Sequence, residues 1–131
     1  MIRHLNPDTL SKNPAFTQAV VVEAPATLVY IGGQNAVLPD GSIAGSTLAE
    51  QTVQVLRNVR AAVEAAGGTV DDIIKWTIYV VDGQSFEEGF AAFMGEWGQR
   101  PNPPAITGVK VVALANPQFL VEIEAIAAIT P

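Results

Sequence analysis

Hydrophobic and polar positions change period several times along the chain, and each change marks an element. Gln18 to Glu23 and Thr27 to Gly32 are short runs bearing Val, Ile and Tyr, separated by Ala24-Pro25-Ala26. They predict a pair of strands. Thr47-Leu-Ala-Glu50 has the form of a capping box, in which the threonine hydroxyl takes an orphan amide and the glutamate reaches back. From there Val55, Val59 and Val63 recur every four residues, widened by Leu48, Val53 and Leu56. Gly67-Gly68 ends this helix at about Ala66. Ile73 to Val81 is β-branched and aromatic with one charge, which predicts a central strand covered on both faces. Ser85-Phe-Glu-Glu88 is a second capping box. It opens a helix with Phe86, Phe90, Phe93 and Trp97 on one stripe, most of it facing the core. After the prolines at 101, 103 and 104, Ala105 to Leu114 and Phe119 to Ala127 predict two further strands around Asn116-Pro117.

The order is β-β-α-β-α-β-β, which predicts an α+β two-layer sandwich with both helices on one sheet face. No linker or repeat interrupts the 131 residues, so they are expected to form one domain, 1–131. The strand positions pointing away from the helices include Ile, Val and Tyr. An apolar face with nothing in the chain to cover it predicts self-association.

Composition narrows the chemistry. Seven Lys and Arg against thirteen Asp and Glu give a net charge of −6, a poor basis for binding a phosphate backbone. With no cysteine there is no disulfide, thiolate metal site or cysteine nucleophile. The single histidine, His4, is expected to be an exposed terminal residue, and one imidazole supports neither a two-histidine metal site nor a Ser-His-Asp triad. No apolar run reaches the 18 or so residues that span a bilayer, and no signal-peptide core is present. Motifs for dinucleotides, phosphates and zinc proteases are missing. The expectation is a soluble cytoplasmic protein without cofactor, nucleic-acid or membrane partner, working with carboxylates, backbone amides and water.

Glu122 and Glu124 share one strand face, while Val121, Ile123 and Ala125 point the other way. The pair lies on a solvated face or beside a cation, or else one carboxylate sits in a partly apolar subunit cleft. Burial there would raise its pKa and suit it to proton transfer. Gly32-Gly33-Gln34 closes the second predicted strand, either as an ordinary exit or as a place where a ligand approaches the backbone.

Taken together, the motifs resemble the Rid family, also called YjgF or L-PSP, over nearly the whole chain. The family pattern runs Gly-Pro-Tyr-x-Gln, Ser-Gly-Gln, a helix with Gln-Thr, Asn and Ala-Gly, then Pro-Ala-Arg and Glu-Ile-Glu-Ala-Ile-Ala. This chain supplies Phe16-Thr17-Gln18-Ala19-Val20, Gly32-Gly33-Gln34, Gln51-Thr52 with Asn58 and Ala66-Gly67, and Asp72 to Thr77. It closes with Pro104-Ala105-Ile106 and Glu122 to Ala127. The resemblance implies a chorismate-mutase-like fold and a homotrimer whose sheets face inward, with small-molecule sites between subunits. It also implies hydrolysis of the reactive enamines and imines released by pyridoxal-phosphate enzymes, giving keto acids and ammonia. In such proteins an arginine clamps the substrate carboxylate, while a glutamate and backbone groups position water. Glu122 matches the glutamate and Gly33 a backbone position of the pocket; Gly108, preceded by Thr107, takes the place of another.

The departures from the pattern are all losses of polar groups. Ile106 stands at the arginine position, Phe16 at the tyrosine, Gly32 at the serine, and Phe90 at a helix asparagine. Phe16, Phe90 and Ile106 are therefore expected to form an apolar wall around Glu122, for a substrate lacking an essential carboxylate. Arg100, six positions before Ile106, is the candidate substitute cation. The alternative is a non-catalytic trimer that binds a hydrophobic metabolite or partner. Ribonuclease activity, for which some members are named, conflicts with the acidic charge and the lack of a His/Lys pair.

Overall fold

The computed structural model describes residues 1–131. Its elements are β1 (Ile2–Leu5), β2 (Ala19–Val22), β3 (Thr27–Gln34), α1 (Leu48–Ala65), β4 (Ile73–Val81), α2 (Phe86–Trp97), β5 (Ala105–Val111) and β6 (Val121–Ile129). A four-stranded sheet runs in the order β3-β6-β4-β5, with β4 and β5 parallel and the other neighbours antiparallel. The parallel pair needs a long crossover, and α2 supplies it. No helix is long and apolar enough to cross a membrane.

The expected pairing of residues 18–23 with 27–32 is corrected. β2 pairs instead with β1, a strand the pattern did not reveal, and β3 pairs with β6. Met1 closes the small sheet by exchanging backbone bonds with Glu23, at 2.8 and 3.0 Å. The segment around Pro25 thus carries the chain from one sheet to the other.

α1 forms for the reasons its sequence advertises. Thr47 accepts from the Glu50 amide at 3.2 Å, and the Glu50 carboxylate accepts from the Thr47 amide at 3.3 Å. Gly67, at φ +89°, turns the chain, and the Gly67 and Gly68 amides reach the Glu64 and Val63 carbonyls. α2 is capped on one side only. Ser85 accepts from the Glu88 amide, but no return bond forms, so the second box is half of what its spacing predicts.

Both helices pack on the same face of the sheet. Val55, Val59 and Val63 of α1 and Phe93 and Trp97 of α2 meet Trp76, Val121, Ile123 and Ala127. Trp76 is fully buried and stands edge-on to Phe93 and Trp97, with ring centres 5.6 and 4.9 Å away. The aromatic stripe is only half core, because Phe86 and Phe90 remain 39% and 49% exposed. β4 is central, as expected, yet only its Trp76 face is sealed. Lys75, Thr77 and Tyr79 lie half-buried on the outer face. There Leu28, Tyr30 and Val109 are exposed, with nothing in the chain to cover them.

Candidate functional site

The site grows from an irregularity in β3. Ile31 pairs with Ala125 and Gln34 with Ile123, so Gly32 and Gly33 together oppose the single residue Glu124. This is a β-bulge, the kind of local kink that re-aims groups beside it. The Glu122 carboxylate lies against the Gly33 backbone. A Cβ on Gly33 would fall 2.8 Å from Glu122 Cδ and closer still to Oε2. Glycine is favoured here by the close approach of the carboxylate and not by the backbone torsion.

The two glutamates are not equivalent. Tyr79 donates its phenol to Glu124 at 3.0 Å. That bond, then burial and the negative charges of Glu124 and Glu122, raise the Tyr79 pKa above its ordinary value. Glu122 has no side-chain hydrogen bond, and neither glutamate has an ion pair. Thr107 shares this outer face and accepts from Lys75 at 2.6 Å. Gly32 borders a hollow of about 360 Å3 with Tyr30, Lys75, Thr77 and Glu124. The Lys-x-Thr-x-Tyr alternation in β4 was the available sign of these polar neighbours, hidden by the apolar residues between them.

Ile106, Gly108 and Phe90 lie on the other side of the sheet. Ile106 pairs with Trp76, so it points toward the helices. With Gly108, Phe86, Phe90, Phe93 and Ile123 it lines a cavity of about 210 Å3. Thr52 is the only polar side chain in that lining, and its hydroxyl donates to the Leu48 carbonyl at 2.7 Å. The expected apolar wall around Glu122 is therefore not formed within one chain, because a sheet separates Phe90 and Ile106 from the carboxylate.

Phe16 and Arg100 fall in a third place, bordering a hollow of about 450 Å3 by Pro101 and Pro103. Arg100 does not line the Ile106 cavity. Within one chain its guanidinium lies over Trp97 at 4.3 Å and donates to Asp71. The expectation for His4 is corrected. It belongs to β1 and is half-buried, and burial lowers its pKa. No three His, Cys, Asp or Glu side chains gather closely enough to hold a metal ion.

The bulge gives a direct prediction. Gly33→Ala should fold with a stability change of at most about 1 kcal/mol, because the clashing atoms are mainly the end of a flexible side chain. It should nevertheless displace the Glu122 carboxylate. A crystal structure of the variant with that carboxylate unmoved would contradict the close approach described here.

The profile of the endoribonuclease L-PSP family matches residues 8–129. A RutC family protein of Pyrococcus horikoshii is 39% identical over 103 residues, covering 76% of this chain and 77% of its own. A 2-iminobutanoate/2-iminopropanoate deaminase of Escherichia coli is 37% identical over 103 residues, covering 76% of this chain and 78% of its own. The crystal structure of a Rid family protein of unknown function from Yersinia pestis superimposes with a TM-score of 0.83. It shares 31% identity and covers 98% of both chains. The chorismate-mutase-like arrangement of two helices on a mixed sheet is that of these relatives. With the profile spanning every element from β2 to β6, the chain belongs to the Rid (YjgF/L-PSP) family.

Proposed function

We propose that the chain is a cytoplasmic, trimeric enzyme of the deaminase type, hydrolysing an enamine or imine at a site shared between subunits. The observation that carries this reading is the division of the candidate residues. Glu122 and Gly33 lie on the uncovered sheet face, whereas Phe90 and Ile106 open from the helix side. A site using both sets needs two copies of the chain, and the exposed Leu28 and Tyr30 give those copies an apolar surface to bury. The deaminase names of relatives support the reaction class.

In this reading Glu122, free of other partners, accepts a proton from water as the water oxygen bonds to the imine carbon. The π pair of the C=N bond moves to nitrogen, which takes that proton back from Glu122. The resulting carbinolamine expels ammonia as its hydroxyl becomes the carbonyl, so one water is consumed for each ammonia released. Ile106 leaves the site without the family's arginine, and so without a bidentate partner for a substrate carboxylate.

Light scattering at micromolar concentration should give about three times the 13.8 kDa of one chain. Imines generated by an amino-acid oxidase from bulky apolar amino acids should then lose ammonia faster with the protein than without it. A single-chain mass would dissolve the shared site. Saturable binding of such compounds without turnover would replace the enzyme by a binding module, a reading favoured by the uncharged cavity.

A further inference from the structure

We propose that the cavity between α2 and the inner sheet face binds an uncharged ring of about the size of benzene. We further assign that ring to the side chain of the substrate, a step that rests on the imine-hydrolase reading, whereas the binding itself does not.

Size comes first. A cavity of about 210 Å3 exceeds the roughly 150 Å3 of apolar space that takes up benzene in a protein interior. The lining comes second. It carries no charged residue, and its one hydroxyl, on Thr52, is already engaged by a backbone carbonyl. Water entering such a space finds few partners, and a carboxylate would lose its hydration with nothing in return.

Shape adds a third constraint. Phe90 and Phe93 lie nearly parallel, 8° apart with ring centres 6.5 Å apart, so the wall presents flat aromatic faces. Phe86 and Phe90 stay exposed at the mouth, and a ring seated there would remove their faces from water.

Gly108 is the most specific sign. It stands within β5, where glycine weakens a strand, yet its backbone torsion does not require glycine. Nor does packing require it. A Cβ would sit 3.5 Å from the Phe86 ring, an ordinary contact. What the missing side chain does is leave room in the cavity wall.

The test uses the assembled wild-type protein, with toluene and benzoate as neutral and charged rings. Titration followed by amide NMR should show saturable toluene shifts around Phe86, Phe90 and Gly108, with Kd on the order of 1 mM. Benzoate should bind at least tenfold more weakly. Gly108→Leu should reduce toluene affinity at least tenfold. Should that variant fail to fold, Ile106→Arg provides an independent measure and should turn the preference toward benzoate. Absence of saturable toluene shifts in the wild type, or benzoate binding as tight as toluene, overturns the proposal. For the substrate, kcat/KM on the imine from phenylalanine should exceed that from alanine at least tenfold. Equal rates with toluene binding intact overturn the side-chain assignment alone. Toluene binding without turnover of any imine overturns the hydrolase reading and leaves the ring site standing.

Discussion

Trp76→Ala should destabilise the protein by about 3–5 kcal/mol, the range for removing a large aromatic from a packed core. Trp76 has no exposed surface and holds β4 against α2 through edge-on contacts with Phe93 and Trp97. Such pairs contribute about 0.5–1.5 kcal/mol each beyond burial. Against a total of about 5–15 kcal/mol, the loss leaves a marginal fold. Trp76→Phe should cost far less, because the Trp76 indole N–H is buried without a partner. Removing that group relieves a penalty of about 1–3 kcal/mol and offsets part of the lost contact area. Urea denaturation at one fixed protein concentration measures both, since any self-association would add to apparent stability. An alanine variant within 1 kcal/mol of wild type would mean that the aromatic cluster does not hold the layers together.

Glu122→Gln should lower kcat/KM on imines by about 10²–10⁴-fold, the usual contribution of a positioned general base. The amide keeps the shape over Gly33 but cannot take a proton from water. Glu124→Gln is the matched control. Its amide oxygen can still accept the Tyr79 hydroxyl, so activity should stay within about threefold. Mixed assemblies give a stronger test. Subunits carrying Glu122→Gln retain an intact cavity, and subunits carrying Gly108→Leu retain an intact carboxylate. Co-refolding the two should restore activity that neither has alone. Failure to restore it, with both variants folded and exchanging, would place the whole site within one chain and overturn the shared-site reading.

The legible parts of this fold are those whose signals are local. α1 carries its cap, its stripe and its Gly67 stop within a continuous stretch, and it appears where those residues place it. The opposition of Glu122 to Val121 and Ile123 follows from the two-residue period of a strand. β1 was not legible, because Ile2–Leu5 is too short for alternation to stand out. The partner of β2 was not legible either, since pairing is chosen by distant edges and not by nearness in sequence. The same limit governs the site. That Ile106 faces the helices follows from its register opposite Trp76, a relation between two strands that neither encodes alone. Motif order placed Phe90, Ile106 and Glu122 in one pocket; only the sheet shows that they belong to opposite faces.

The strand order also dictates when the molecule can fold. β6, the last strand to be synthesised of those in the larger sheet, lies between β3 and β4 and is hydrogen-bonded to both. Until it emerges from the ribosome, neither of those strands has that neighbour, and the helices lack the platform of Val121, Ile123 and Ala127 against which they pack. Closure is therefore a late event that joins distant parts of the chain in one step, a topology that slows folding relative to helical proteins of similar size. Until then the backbone edges of β3 and β4 that β6 pairs stay open, and unpaired edges of this kind promote aggregation.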